Sequence, residues 1–234
     1  MVAVIDSRMP SSAKARLKEI CEVIELPPFS ALDVRVASHP DMLMFVLDGK
    51  LFVCKQYYSE AKESIDKIIQ ATDLELMLTN DLLGAQYPND IKFNVFIVNG
   101  AMIGNTANIS QEIKDYASNI GIVQVNVKQG YAKCSTVVLD GAVISADKEI
   151  CNAALELGAE ALSVSAGGVA LDGYDCGFIG GASGVCGKQV FFCGDITKHK
   201  DLESISLFCA AHGYEVIFLS DEPLYDVGTI MFLE

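Results

Sequence analysis

The sequence predicts an α/β fold: a five-bladed, pseudo-symmetric α/β propeller of ββαβ units, closed by its own C-terminal strand. Three observations predict it. A hairpin–helix–strand unit recurs along the chain. The turn glycines Gly49, Gly100 and Gly141, with Gly187 as a looser fourth, mark that unit at propeller-like intervals. The first unit lacks an opening strand, whereas 228–233 reads as a strand with no helix after it. Pairing the two ends closes the ring and leaves no sheet edge open. An open α/β sheet is the alternative for alternating strands and helices, but hairpin-then-helix units and complementary ends do not belong to it.

The fourth unit is the clearest. β-Branched residues over 135–139 predict a strand, Asp140-Gly141 a tight hairpin and 142–145 the returning strand. Asp147 is placed to cap a helix whose apolar positions Ile150, Ala153, Ala154 and Leu157 recur at helical spacing. Gly158 stops it, and 161–164 is a third strand. In chain order before it, 2–5 is a strand, Ser11 or Ser12 caps a helix through about residue 21, and 23–26 is a strand. The second unit reads strand 42–47, turn Asp48-Gly49, strand 51–54, helix 59–70 and strand 74–78. The third reads strand 93–98, turn Asn99-Gly100, strand 101–104, helix 110–119 closed by Gly121, and strand 122–127. The fifth is irregular, with a glycine cluster over 180–184, strand 188–193, helix 200–212 ended by Gly213, and strand 215–219. No linker of disordered composition interrupts 1–234, so one domain is expected.

Composition bounds the function. Of 234 residues 51% are hydrophobic, ample for a core, and the net charge of −14 argues against nucleic acid and anionic membranes as partners. Acidity permits a cationic ligand. Eight cysteines, with no Cys-x-x-Cys pair, suit a reduced, cytoplasmic protein. Asp6 follows the first apolar residues at once, unlike a signal peptide, and no apolar run is long enough to span a bilayer. The oligomeric state stays open.

The repeat groups candidate site residues. The eighth residue before each turn glycine is Asp41, Lys92 and Lys133; two earlier stand His39, Asp90 and Tyr131, and two later Leu43, Asn94 and Ser135. Period-two alternation puts these on one strand face, converging on the ring axis, while Met42, Phe93 and Cys134 fall on the face expected under the helices. Asp175 and Asp226 lead into the last strands without a fixed register. A polar axial pocket of mixed charge is one reading, and merely solvated strand ends the other.

The combination HPDM at 39–42, KQGYAKCS at 128–135, GFIGGASG at 177–184 and DEPLYDVG at 221–228, on this repeat, resembles the pentein fold of guanidino-group-modifying enzymes. Relatives of that fold include arginine deiminases, amidinotransferases and dimethylarginine hydrolases, together with a non-catalytic ribosome anti-association factor. The resemblance implies acids that grip a guanidinium, a cysteine that attacks its carbon and a histidine that protonates the leaving amine, so an enzyme here would be a C–N hydrolase or amidinotransferase-like. Carboxylates match the planar cation, and a thiolate is a strong nucleophile near neutral pH. The family's histidine position holds Gly130-Tyr131 here, and its cysteine position Gly228-Thr229. Neither catalytic residue carries over.

Cys176 and His39 are the substitutes the sequence offers, with Asp41, Asp90, Lys92, Asn94, Tyr131, Lys133, Asp175 and Asp226 as binding residues. Cys134 is expected to be a buried structural thiol, like Cys21, Cys54, Cys151, Cys193 and Cys209. His199 and His212 flank one helix, and three histidines without ligand spacing predict no metal site and no cofactor. The glycine cluster is neither a dinucleotide fingerprint nor a nucleophile elbow. It is a tight bend or a close backbone approach to a ligand. Two functions follow: a protein that binds, and hydrolyses, a small cationic guanidine or amine, or a non-catalytic binding protein on the same scaffold.

Overall fold

A computed structural model describes residues 1–233. The elements run β1 (Val2–Asp6), α1 (Ser11–Lys18), β2 (Glu22–Leu26), α2 (Pro40–Leu43), β3 (Met44–Leu47), β4 (Lys50–Cys54), α3 (Lys55–Ala71) and β5 (Glu75–Thr79). They continue β6 (Phe96–Val98), β7 (Ala101–Gly104), α4 (Gln111–Asn119), β8 (Val123–Asn126), β9 (Thr136–Leu139), β10 (Ala142–Ser145), α5 (Lys148–Glu156) and β11 (Glu160–Ser163). The last are β12 (Ser183–Cys186), β13 (Gln189–Phe192), α6 (Leu202–Ala211), β14 (Glu215–Phe218) and β15 (Met231–Leu233).

These strands form five separate three-stranded sheets, four of them an antiparallel hairpin plus a parallel strand reached through a helix, and the first with β15 in place of the hairpin's opening strand. The hairpins form where the turn chemistry demands: Asp48-Gly49 and Asn99-Gly100 both take φ > 0 at the two central positions, as a type I′ turn requires. Asp147 caps α5, accepting from Glu149 N at 2.8 Å and Ile150 N at 3.1 Å. Helix α3 buries Tyr57, Ala61, Ile65 and Ile68, a stripe at helical spacing, and packs between its own sheet and that of the first blade. Truncating Ile65 to Ala would cost about 2–5 kcal/mol.

The chain ends close the ring. β15 lies antiparallel to β1, pairing Val2 with Leu233, Ala3 with Phe232 and Val4 with Met231. The first strands meet around the axis, β6 against β9, β9 against β12, and β12 against β15. None of the sheets closes into a barrel. Among the described residues no helix is long and apolar enough to cross a membrane.

One local feature departs from the sequence reading and shapes everything at the axial end. The segments expected to begin the first strands at 42, 93 and 135 are turns instead. Met42 N donates to His39 O at 3.1 Å, Asn94 N to Ile91 O at 3.1 Å, Thr136 N to Lys133 O at 3.0 Å and Ser183 N to Gly180 O at 3.2 Å. Four blades thus share one bent approach. In a turn the period-two alternation of a strand does not hold, so side chains assigned to opposite faces are brought together.

Candidate functional site

The bent approaches and the C-terminal segment converge on the axis. Pro40 takes the first position of the one-turn helix α2, where its missing N–H costs nothing, and His39 stands just before it. Asp41 N donates to Gly228 O at 3.1 Å, which ties α2 to the C-terminal segment. Gly181 N donates to Cys134 O at 2.6 Å, and Val227 N and Thr229 N both donate to Gly181 O. The glycine cluster is therefore a close approach between backbones: a Cβ at Gly180 would lie 2.4 Å from Thr136 O, and one at Gly181 2.0 Å from Asp226 Oδ1.

At the centre stands Asp226, fully buried, with Cys134 Sγ at 3.6 and 3.5 Å from its two oxygens. Phe178 N and Gly228 N donate to that carboxylate at 2.8 and 2.9 Å. Beside it, Thr229 Oγ1 lies 3.1 Å from Asp41 Oδ2, 3.1 Å from Gly180 O, and accepts from Lys133 Nζ at 3.1 Å. Thr229 holds φ at +73°, a strained conformation for a β-branched residue. Asn94 Oδ1 accepts from Lys133 N and Cys134 N at 2.8 and 3.2 Å and so fixes the turn that presents both side chains. Asp6 supports the other side. It accepts from Ser38 Oγ at 2.6 Å and Arg8 Nε at 3.0 Å, and its Oδ2 lies 3.6 Å from His39 Nε2.

Burial dominates the protonation states. It pushes His39 down to about 4, more than nearby Asp6 restores, so the imidazole is neutral. Burial, with the Asp41 charge, raises Asp226 to about 7 against the two backbone N–H groups. Burial raises Asp41 despite Lys133, and lowers Lys133 despite Asp41. The Cys134 thiol rises well above its usual range through burial and the Asp226 and Asp41 charges, so it rests protonated. Burial works to raise Asp6 too, but the hydrogen bonds from Arg8 and Ser38 outweigh it and the net shift is downward.

A cavity of about 160 Å³ opens onto this centre, lined by His39, Cys134 and Asp226 at its polar wall and Tyr131, Tyr174 and Phe178 at its aromatic one. A neighbouring cavity of about 310 Å³ shares His39 and Asp226 and carries Arg8 and Arg35. Along the first strands a third, of about 270 Å³, reaches Asp41 and Lys133 between apolar side chains. Asp41, Thr229 and Lys133 therefore divide the axis.

The structure brings together most of the residues singled out from sequence, and it corrects three placements. His39 and Cys176 line one cavity; Cys176 is exposed there and also borders a cavity with Ser135 and His199. Tyr131 donates to Asp90 Oδ2 at 2.7 Å, and burial raises Asp90 in spite of that bond. Cys134 does not lie under the helices: the turn at 131–135 swings its sulfur to Asp226. Lys92 is half-buried and lines none of the cavities around this centre, because the turn at 91–94 presents Asn94 in its stead. Asp175 is exposed and lines none of them either. Sequence reasoning missed the supports Asp6, Arg8 and Ser38, and it gave Thr229 no structural part. Their signal is tertiary.

The comparisons fit this geometry. Residues 4–231 match a family of unknown function, DUF6873. The chain belongs to that family. No curated protein matches it in sequence. Among solved structures it is similar to a mutant dimethylarginine dimethylaminohydrolase from Pseudomonas aeruginosa complexed with citrulline, at 10% identity and TM-score 0.54, covering 94% of this chain and 91% of that one. It is similar also to SxtG, an amidinotransferase from Microseira wollei, at 10% identity and TM-score 0.54, covering 94% and 88%. The N-terminal domain of ArgZ, covalently bonded to a reaction intermediate, matches at 11% identity and TM-score 0.55, covering 96% and 86%. This DUF6873 chain has the pentein fold.

Proposed function

We propose that this DUF6873 protein binds a small cationic guanidine or amine compound in the axial cavity, with the Asp226 carboxylate as its counter-charge. One observation carries the reading. Asp226 is wholly buried at the wall of an aromatic-lined cavity, and among the described residues no Lys or Arg pairs with it within 4 Å: only His39 Nδ1 reaches it, at 4.0 Å, an imidazole held neutral, while Lys133 acts on it from farther off. A buried carboxylate without a cation is costly, and an incoming guanidinium supplies the missing charge. Tyr131 and Phe178 add faces on which a planar cation stacks, beside Tyr174, whose ring already carries the Arg35 guanidinium at 4.3 Å. Structural relatives at about 10% identity lend the fold, and one of them holds citrulline.

Calorimetric titration with agmatine, arginine and methylguanidine, against neutral citrulline, tests the reading. The cations bind and citrulline does not, and Asp226→Asn removes the binding while the protein stays folded. Equal binding of citrulline, or binding that survives Asp226→Asn, overturns it.

A second reading, C–N hydrolysis of the bound compound, is favoured by the exposed thiol of Cys176 and the imidazole of His39 lining one cavity. A thiol-reactive haloamidine separates the two. Stoichiometric labelling of one cysteine supports hydrolysis, and none supports a binding scaffold.

A further inference from the structure

We propose that His39, Asp41 and Cys134 form a binding site for one divalent transition-metal ion, Zn²⁺ by the character of its donors. Each residue offers one ligand atom, and these atoms all lie within 4.8 Å of one another. All three residues are buried, at 1%, 1% and 4% exposure, so the cluster is not a chance gathering of surface acids.

The donors are a neutral imidazole nitrogen, a carboxylate oxygen and a sulfur, the mixed set that a borderline ion such as Zn²⁺ takes. Asp41 Oδ1 is buried without a hydrogen-bond partner, while Cys134 and Asn94 stand beside that carboxylate. An orphaned buried oxygen carries a desolvation cost that a metal bond removes. His39 is buried with its Nε2 lacking a hydrogen-bond partner, 3.6 Å from Asp6 Oδ2, and its Nδ1 is on the Asp226 side at 4.0 Å. Asp6, held in turn by Arg8 and Ser38, is the carboxylate that a small approach would let accept from Nε2 of a histidine bound to metal through Nδ1. Zinc bonds of about 2.0–2.3 Å draw ligand atoms to roughly 3.3–3.8 Å from one another, so the cluster must close by about an ångström.

Charge balance agrees. Loading displaces the Cys134 thiol proton to solvent, after which a dication, a thiolate, a carboxylate and a neutral imidazole sum to zero. Three protein ligands leave a fourth position free for water or a bound molecule. Asp226 borders the site, 3.5 Å from Cys134 Sγ, but is not one of the three clustered ligands, so metal binding is read on its own titration.

Titration of the reduced full-length protein with Co²⁺ tests the proposal without any variant. One equivalent binds, a thiolate-to-cobalt charge-transfer band appears in the near ultraviolet, and Zn²⁺ displaces it. Cys134→Ser loses the band, and Asp41→Asn and His39→Gln weaken binding about tenfold or more. Cys176→Ser keeps it. Calorimetric titration of the metal-free protein with agmatine reads guanidine binding without the cobalt band, so failure of one proposal is distinguishable from failure of the other. Absence of the band in the wild-type protein, its persistence in Cys134→Ser or its loss in Cys176→Ser overturns the site.

Discussion

His39 fills the space that a side chain on Gly228 would need. A Cβ built on Gly228 would sit 2.2 Å from His39 Cβ and 2.6 Å from its Cα, and Gly228 itself holds φ at +63°. Backbone cannot yield as a flexible side chain can. The position where the resemblance puts a nucleophilic cysteine is thus closed by packing as well as by sequence.

Gly228→Cys is therefore expected to destabilise the protein rather than restore a nucleophile. The left-handed backbone and the clash with His39 together place the cost at about 3 kcal/mol or more, out of a total of about 5–15. Urea denaturation measures it. A Gly228→Cys protein as stable as wild type would show that His39 can move aside.

Ring closure predicts the effect of truncation. Removing 226–234 takes away β15 and the buried side chains of Val227, Ile230 and Leu233. At about 1.5–3 kcal/mol for each buried aliphatic side chain, roughly 5 kcal/mol or more is lost, and β1 gains an unpaired edge. That approaches the whole stability of a domain. The truncated chain is expected to be largely unfolded by circular dichroism at room temperature. A melting curve like that of the full-length protein would sink this account of the closure.

The eight cysteines should separate by exposure. Cys176 alone among them is exposed, Cys21 and Cys186 are intermediate and the other five are buried. Iodoacetamide on the native protein is expected to modify Cys176 first, and Cys134 at an appreciable rate only after denaturation, because its thiol is enclosed and held protonated. Peptide mapping after timed quenching reads the order. Cys134 reacting ahead of Cys176 would require the Asp226 wall to open in solution.

The repeat and its closure were legible because they rest on local signals: turn glycines, a capping aspartate and alternating apolar strands. Asp147 as a cap and the pairing of the two ends needed no tertiary knowledge. The site was half legible. His39, Asp41, Tyr131 and Lys133 were singled out because polar residues recur at matching repeat positions, and Asp226 because an acid leads into the last strand. Cys134 was put on the wrong face because alternation was carried across a turn, and the turn is set by contacts such as Asn94 with Lys133 N and Cys134 N, which lie 39 and 40 residues apart in sequence. Lys92 failed for the same reason. The support of His39 by Asp6, Arg8 and Ser38 joins separate blades, and no spacing along the chain announces it.

The last prediction is an absence of activity toward the substrates of arginine deiminases and dimethylarginine hydrolases. Those reactions need a thiolate on one side of the guanidine carbon and a proton donor near the leaving amine, both held close to productive geometry. At the two positions implied by the resemblance stand Gly130-Tyr131 and Gly228-Thr229. A Cβ on Gly130 would lie 2.4 Å from Tyr87 Cε2, so that space is filled as it is at Gly228. Thr229 is no nucleophile in waiting: its one hydroxyl proton is shared between Asp41 and Gly180, and its oxygen accepts from Lys133. Cys134 rests protonated between two acids, and His39 is neutral and a poor acid for a leaving amine. No ureido product is therefore expected from arginine, methylated arginines or agmatine over hours at micromolar protein. Cys176→Ser is the control, since that thiol and His39 line one cavity. Turnover in the wild-type protein that Cys176→Ser abolishes would overturn this expectation and place the nucleophile on the approach to the fifth blade.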